Sequence, residues 1–117
     1  YNFFNNFFMS KKTDILERLS AILIERKNYA EDNSYTNQLY NAGNIKILEK
    51  IKEEASELIE AGSIKTVIKK EIVHEAADLW FHTMVLLAFN EINPLEILNE
   101  LERREGVSGI EEKSRRS

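Results

Sequence analysis

The fourteen residues from Ala76 to Phe89 include eleven apolar ones, the exceptions being Asp78, His82 and Thr83. No Pro or Gly interrupts the stretch and nothing in it alternates at period two, so it reads as a helix that is apolar almost all round. Such a helix must be buried, in a bundle core or at a subunit interface. The rest of the chain is sparsely punctuated. One Pro (Pro94) and four Gly in 117 residues favour long helices over many short strands. Ile15, Leu16, Leu19, Ile22 and Leu23 recur at spacings of three and four, which predicts an amphipathic helix over Thr13–Arg26. A polar loop from Lys27 then leads to a short helix carrying Leu39 and Tyr40 and ending at Gly43. Asn44–Ala61 reads as the second long helix, capped by Asn44 and closed by Gly62. A third runs from Ser63 or Thr66 to about Asn90, and a fourth over Pro94–Glu105 has Pro in its first turn. The expected class is all-α, a bundle of four to five helices followed by a tail, Gly106–Ser117.

Composition removes several functional classes. The formal charge is 16 − 20 = −4, and an acidic surface repels phosphate backbones, so no nucleic-acid partner is expected. With no Cys there are no disulfides, thiolate nucleophiles or Cys-based zinc sites. The longest uninterrupted apolar run, Met84–Phe89, is six residues, whereas a membrane span needs ~18 or more. A soluble cytosolic protein without a membrane partner is expected, and the length fits one domain. Tyr1–Phe8 (YNFFNNFF) has four Phe and no charge, unlike a secretory signal with its basic start. Met9 is the expected natural start, with residues 1–8 a leader or added sequence and 9–117 the single domain. A genuine aromatic arm is the alternative.

Two clusters of acids carry the chemistry. Lys50, Glu53, Glu54 and Glu57 fall within an arc of roughly 100° on the second long helix. Charges opposite an apolar stripe also suit a plain solvated face. The third helix argues otherwise, because Glu75, Asp78 and His82 share one face of a helix that avoids water, with Glu71 extending that stripe. Burying unpaired carboxylates costs several kcal/mol each, so they protonate, pair or bind metal. An interhelical salt bridge through Lys50 or Lys70 is one solution. Three or four facing acids exceed what one Lys neutralises, which favours a cation. Each helix offers two carboxylates about 5 Å apart, a turn's rise, and a cage of hard oxygens matches Mg²⁺ or Mn²⁺. Metal-assisted attack of water on a phosphoanhydride is the chemistry this suggests. His82 reads either as a ligand or as a core histidine bonded to a backbone or side-chain acceptor. His74 lies off the stripe, and Trp80, Phe81, Met84 and Phe89 read as packing.

Ser34-Tyr35-Thr36, Leu39, Gly43 and Lys50-x-x-Glu53-Glu54-Ala55-x-Glu57 are followed by Glu75-Ala76-Ala77-Asp78-Leu79-x-x-His82 and Arg104-x-x-x-Ser108-Gly109-x-x-Glu112-Lys113. In this order they resemble the phosphoribosyl-ATP pyrophosphohydrolases, the histidine-biosynthesis branch of the all-α, MazG-like nucleoside triphosphate pyrophosphohydrolases. The similarity runs from about Ile15 to Arg116. The paired acid motifs are common to the superfamily; the Ser-Tyr-Thr loop and the Ser-Gly-x-x-Glu-Lys tail narrow it to this branch.

The resemblance implies hydrolysis of the α–β phosphoanhydride of phosphoribosyl-ATP, giving phosphoribosyl-AMP and pyrophosphate, with Mg²⁺ (Mn²⁺ as a substitute). By motif position Glu54, Glu57, Glu75 and Asp78 are the metal ligands. Glu53 is an adjacent catalytic carboxylate, available to a second ion or to water. Ser34, Tyr35, Lys50, His82, Arg104 and Lys113 complete the site as substrate-contacting candidates. Lys50 also suits a pair with Glu54 at i+4, and the basic tail suits a solvated terminus. The resemblance further implies a homodimer, in agreement with the apolar third helix, which three short neighbours cannot cover. Two rivals stand beside this reading: a housecleaning pyrophosphatase for ordinary or damaged nucleoside triphosphates, and a non-catalytic helical interaction module.

Overall fold

A computed structural model describes residues 3–28 and 34–105, with the side chains of the first helix described from Asp14 onward. Among these residues there are five helices and no strand: α1 (Phe3–Lys27), α2 (Tyr35–Ala42), α3 (Asn44–Ser63), α4 (Lys69–Phe89) and α5 (Glu96–Glu105). The all-α class is therefore as expected. The element bounds differ in instructive ways.

α1 begins at Phe3 rather than at a Thr13 cap. Once a helix is nucleated each added residue gains a hydrogen bond, and no Pro or Gly lies between Phe3 and Lys27 to stop it. Gly62 does not close α3 but lies within its last turn, where the helix continues to Ser63. Asn44 is the first residue of α3 and not its cap. That position belongs to Gly43, which ends α2 and starts α3 at once with φ 94 and ψ −178. Its N–H donates to the Leu39 carbonyl and its own carbonyl accepts from the Ile47 N–H. Such a backbone conformation is open essentially to Gly alone, so the chain can reverse here without a loop.

Ser34 caps α2 in the ordinary way, its hydroxyl oxygen accepting the Asn37 N–H at 3.2 Å. α4 ends in a Schellman motif: the Ile92 N–H reaches the Leu87 carbonyl, the Glu91 N–H reaches that of Ala88, and Glu91 takes the left-handed position at φ 62. Lys27 at the end of α1 bonds both the Glu91 carboxylate and the Phe89 carbonyl, tying α1 to this corner. Pro94 precedes α5 instead of opening it. Asn93 makes the turn, its side chain accepting the Leu95 N–H and its carbonyl the Glu96 N–H.

The core is drawn from four helices, with Leu23, Leu39, Ile47, Met84, Val85 and Ala88 buried and Ile51, Phe81 and Phe89 packed around them. α3 and α4 form the main pair, α1 lies against α4, and α2 bridges α1 and α3. Tyr40 links two of these layers by donating its hydroxyl to the Leu23 carbonyl at 2.8 Å. Burial pushes its phenol up to about 12. By length and composition α4 could cross a membrane; in this fold it is the helix on which α1 and α3 pack. Its cover is incomplete: Trp80 is 63% exposed and Val73 57%. Phe81, Met84 and Phe89 pack as the sequence indicates, whereas Trp80 lines this fold's apolar groove and stays largely exposed among the described residues. α5 buries none of its residues. An apolar groove of about 400 Å³ runs between α1, α4 and α5, lined by Leu16, Leu79, Trp80, Met84, Leu98 and Leu101 among others.

Candidate active site

The pairing of α3 with α4 brings their acidic faces together. Carboxylate oxygens of Glu54, Glu57 and Glu75 all lie within 4.8 Å of one another. Two residues of the group come from adjacent turns of α3 and the third from α4, so the cluster exists only because the helices pack in this register. Glu54 is 7% exposed, against an expectation that a charged side chain stays in water. Among the described residues, its Oε2 and that of Glu75 are shut from solvent and have no hydrogen-bond partner. Asp78 extends the group along α4, lying with His74 and Glu75 inside a second set of ligand atoms no more than 4.8 Å apart.

The electrostatics follow from that crowding. Desolvation raises the pKa of Glu54, and its contact with Glu57 and the charges of Glu57 and Asp78 push the same way. Glu75 is likewise raised, by desolvation first and then by Glu57, with His74 opposing. Like charges this close raise the cost of ionising Glu54 and Glu75 and favour an added cation. Among the described residues the cation beside the cluster is Lys50, whose ammonium donates to Glu53 at 3.2 Å and sits 3.7 Å from Glu54. Both contacts lie within α3, so the interhelical bridge that the sequence left open is not what Lys50 makes. Glu53 falls outside the triad, paired with Lys50 at its rim. Glu71 stands exposed in the first turn of α4, where a negative charge suits the helix dipole.

The remaining candidates separate by position. The Tyr35 hydroxyl lies 2.8 Å from His82 Nε2, and His82 Nδ1 lies 2.8 Å from the Asp78 carbonyl oxygen. His82 is buried and is the partnered core histidine of the two alternatives. Ser34 spends its hydroxyl on the α2 cap. Arg104 is bonded to Glu100 at 3.0 Å on the surface of α5, and Arg103 shares that carboxylate, holding it down to about 2. Lys113 lies outside the described residues.

A family profile described as phosphoribosyl-ATP pyrophosphohydrolase matches residues 16–105. The chain belongs to that family. Curated relatives named phosphoribosyl-ATP pyrophosphatase match over nearly their full length. The relative from Ruthia magnifica is 49% identical over 104 residues, covering 89% of this chain and 97% of the relative. That from Geobacter metallireducens is 48% identical over 108 residues (92% and 97%), and that from Nitrosomonas eutropha 47% over 109 (93% and 92%). Within this phosphoribosyl-ATP pyrophosphohydrolase chain the matched span includes every acid of the cluster. It also includes a residue that sequence reasoning set aside. His74 Nε2 lies 3.3 Å from Asp78 Oδ2. The i, i+4 spacing of the two is the signal in the sequence, although His74 lies on the flank of the stripe that Glu75 and Asp78 define.

Proposed function

We infer that this chain hydrolyses phosphoribosyl-ATP to phosphoribosyl-AMP and pyrophosphate, with a divalent cation held by Glu54, Glu57, Glu75 and Asp78. The observation that carries this reading is the pair of solvent-shut, unpartnered carboxylate oxygens on Glu54 and Glu75, which face each other from two helices. An all-oxygen donor set of this charge fits a hard cation, and Mg²⁺ is the matching ion, with Mn²⁺ as substitute. When bound, the ion supplies charge neutralisation at the phosphates and a more acidic coordinated water.

The chain's own groups do the rest. Glu54 is held by burial, and Glu75, half-buried, turns one solvent-shut oxygen toward the same cluster. Glu57 sits between them on the same side. Glu53, outside the triad and held by Lys50, is the spare carboxylate that orients the attacking water. Lys50, 3.7 Å from Glu54, places a point charge where a phosphate oxygen would meet the cluster's edge. The functional unit is a homodimer. Exposed Trp80 and the apolar groove beside it support this, because a soluble monomer rarely leaves such a patch open.

The test is pyrophosphate release from phosphoribosyl-ATP, with and without chelator. Turnover that chelator abolishes and Mg²⁺ restores is expected. Strong turnover of ordinary deoxynucleoside triphosphates, with none of phosphoribosyl-ATP, would refute the assignment in favour of a housecleaning enzyme.

A further inference from the structure

Tyr35 and His82 are separated by 47 positions in sequence and joined by one hydrogen bond of 2.8 Å. The direction of that bond can be worked out. A backbone carbonyl only accepts, so the contact between His82 Nδ1 and the Asp78 oxygen places a proton on Nδ1. In the neutral imidazole Nε2 is then an acceptor, and the Tyr35 hydroxyl must donate to it. The phenol's proton is thereby committed inward. What remains on its oxygen is acceptor capacity alone.

The surroundings define where that acceptor stands. Tyr35 is the first residue of α2, 46% exposed, with its ring stacked on Phe81 at 6.5 Å and edge-on to His82 at 5.8 Å. Its hydroxyl feels the charges of Lys50 and Glu53 at the cluster's rim and of Glu54 and Asp78 within it. His82, by contrast, is 5% exposed and anchored one turn below on the same helix that carries Glu75 and Asp78. It cannot reach a ligand in bulk solvent, yet it decides how the exposed phenol is aimed.

We propose that His82 is a positioning residue: by taking the Tyr35 proton it locks the phenol at the rim of the carboxylate cluster as a hydrogen-bond acceptor for a hydroxyl or amino donor of the bound nucleotide. The inference rests on the hydrolase reading for its ligand, but the Tyr35–His82 lock itself does not. Replacing Tyr35 by Phe removes the acceptor, and replacing His82 by Leu leaves the phenol unaimed. Either change removes the same single interaction.

The experiment has two arms. In the free protein, long-range nitrogen NMR reads the His82 tautomer without any substrate; the Nδ1–H form is expected, with an Nε2 shift that changes in Tyr35→Phe. An Nε2–H tautomer or an imidazolium at neutral pH overturns the lock. With substrate, Tyr35→Phe and His82→Leu should each raise KM for phosphoribosyl-ATP by ~3–10-fold, the loss of one hydrogen bond, with kcat within about twofold. The double variant should be no worse than either single one, and His82→Gln, which returns an acceptor near the Nε2 position, should recover most of the affinity. The Mg²⁺-induced rise in melting temperature should match that of the native chain in all four. Additive losses, or a fall in kcat as large as that from removing Glu57, overturn the proposal. If His82→Leu does not fold, Tyr35→Phe and His82→Gln still decide it. Should native protein leave phosphoribosyl-ATP untouched, the hydrolase reading fails while the NMR arm still judges the lock. Analogues lacking the exocyclic amine or a single sugar hydroxyl identify the donor, since the matching analogue binds native protein and Tyr35→Phe equally.

Discussion

Glu57 stands between Glu54 and Glu75 and contributes to the raised pKa of both. Its substitution therefore separates two effects. Without metal, Glu57→Gln relieves like-charge crowding and should raise the melting temperature by about 2–5 °C, the scale set by ~1 kcal/mol in a domain of this size. With Mg²⁺, the same variant should lose the metal-induced rise and fall in turnover beyond the ~10–100-fold typical of losing an outer-shell partner. Helicity by circular dichroism should not change. A lower metal-free melting temperature would make Glu57 a structural residue instead. The pH dependence of stability follows from the same groups. Glu54 and Glu75 have folded values above the ordinary 4.5. The stability linked to them is thus full below 4.5 and lost as pH rises through their raised values. Glu100, held down to about 2, acts in the opposite window: its contribution is present above 4.5 and lost as pH falls toward 2. In chelator, melting temperature should climb as pH is lowered toward 4.5, and Mg²⁺ should flatten or reverse that slope. A metal-free profile that falls over this interval would contradict the raised carboxylates. The acids were legible because a helix places i and i+3 on one face. Which of them lost water was not, since Glu53 and Glu54 are neighbours in sequence and only packing against α4 buries one and leaves the other at the rim.

Among the elements, the α2–α3 corner depends on the backbone conformation of one glycine. A Cβ built on Gly43 meets nothing within 4 Å, so space is not what requires glycine there. The backbone angles are. Gly43→Ala should cost about 1–3 kcal/mol, read as a lower denaturant midpoint at unchanged slope. A loss below half a kcal/mol would mean that the corner relaxes. The sequence placed a helix end at this glycine correctly, because glycine is the common terminator. It misassigned the next cap to Asn44, whose side-chain oxygen instead accepts from Asn90 Nδ2 at 3.4 Å, while Gly43 holds the cap position. The opposite error occurred at α4, where Glu91 takes the left-handed position that glycine usually fills. No composition rule points to a glutamate there; its bond to Lys27 from α1 is a tertiary contact that fixes the corner. Gly62 misled in the other direction, since a glycine near a helix end does not oblige the helix to stop.

For the molecule as a whole, the apolar character of α4 was plain, but not which of its faces remained open. Trp80 lies at 63% exposure beside Leu98 and Leu101, at 37% and 56%, and burying an aromatic side chain of that size is worth a few kcal/mol. We predict a dimer by sedimentation at micromolar concentration. Trp80→Glu should convert it to monomers, because a charge placed in an apolar interface is left without a partner. A monomeric native chain, or a Trp80→Glu dimer, would remove this surface from consideration. The sequence indicated association from the family resemblance and from one helix apolar nearly all round, whereas the position of the surface depends on how α5 is set down after the Asn93 turn.

The shared residue at Gly43 leaves no slack between the helix that carries Tyr35 and the helix that carries Glu54. One residue inserted there would turn the two through about 100° relative to each other, swinging the phenol away from the acids while leaving each helix intact. Changes in chain length between related proteins are therefore expected in the Ile64–Ile68 connection, which can absorb them, and not at this joint, whose fixed length sets the spacing between the two halves of the pocket.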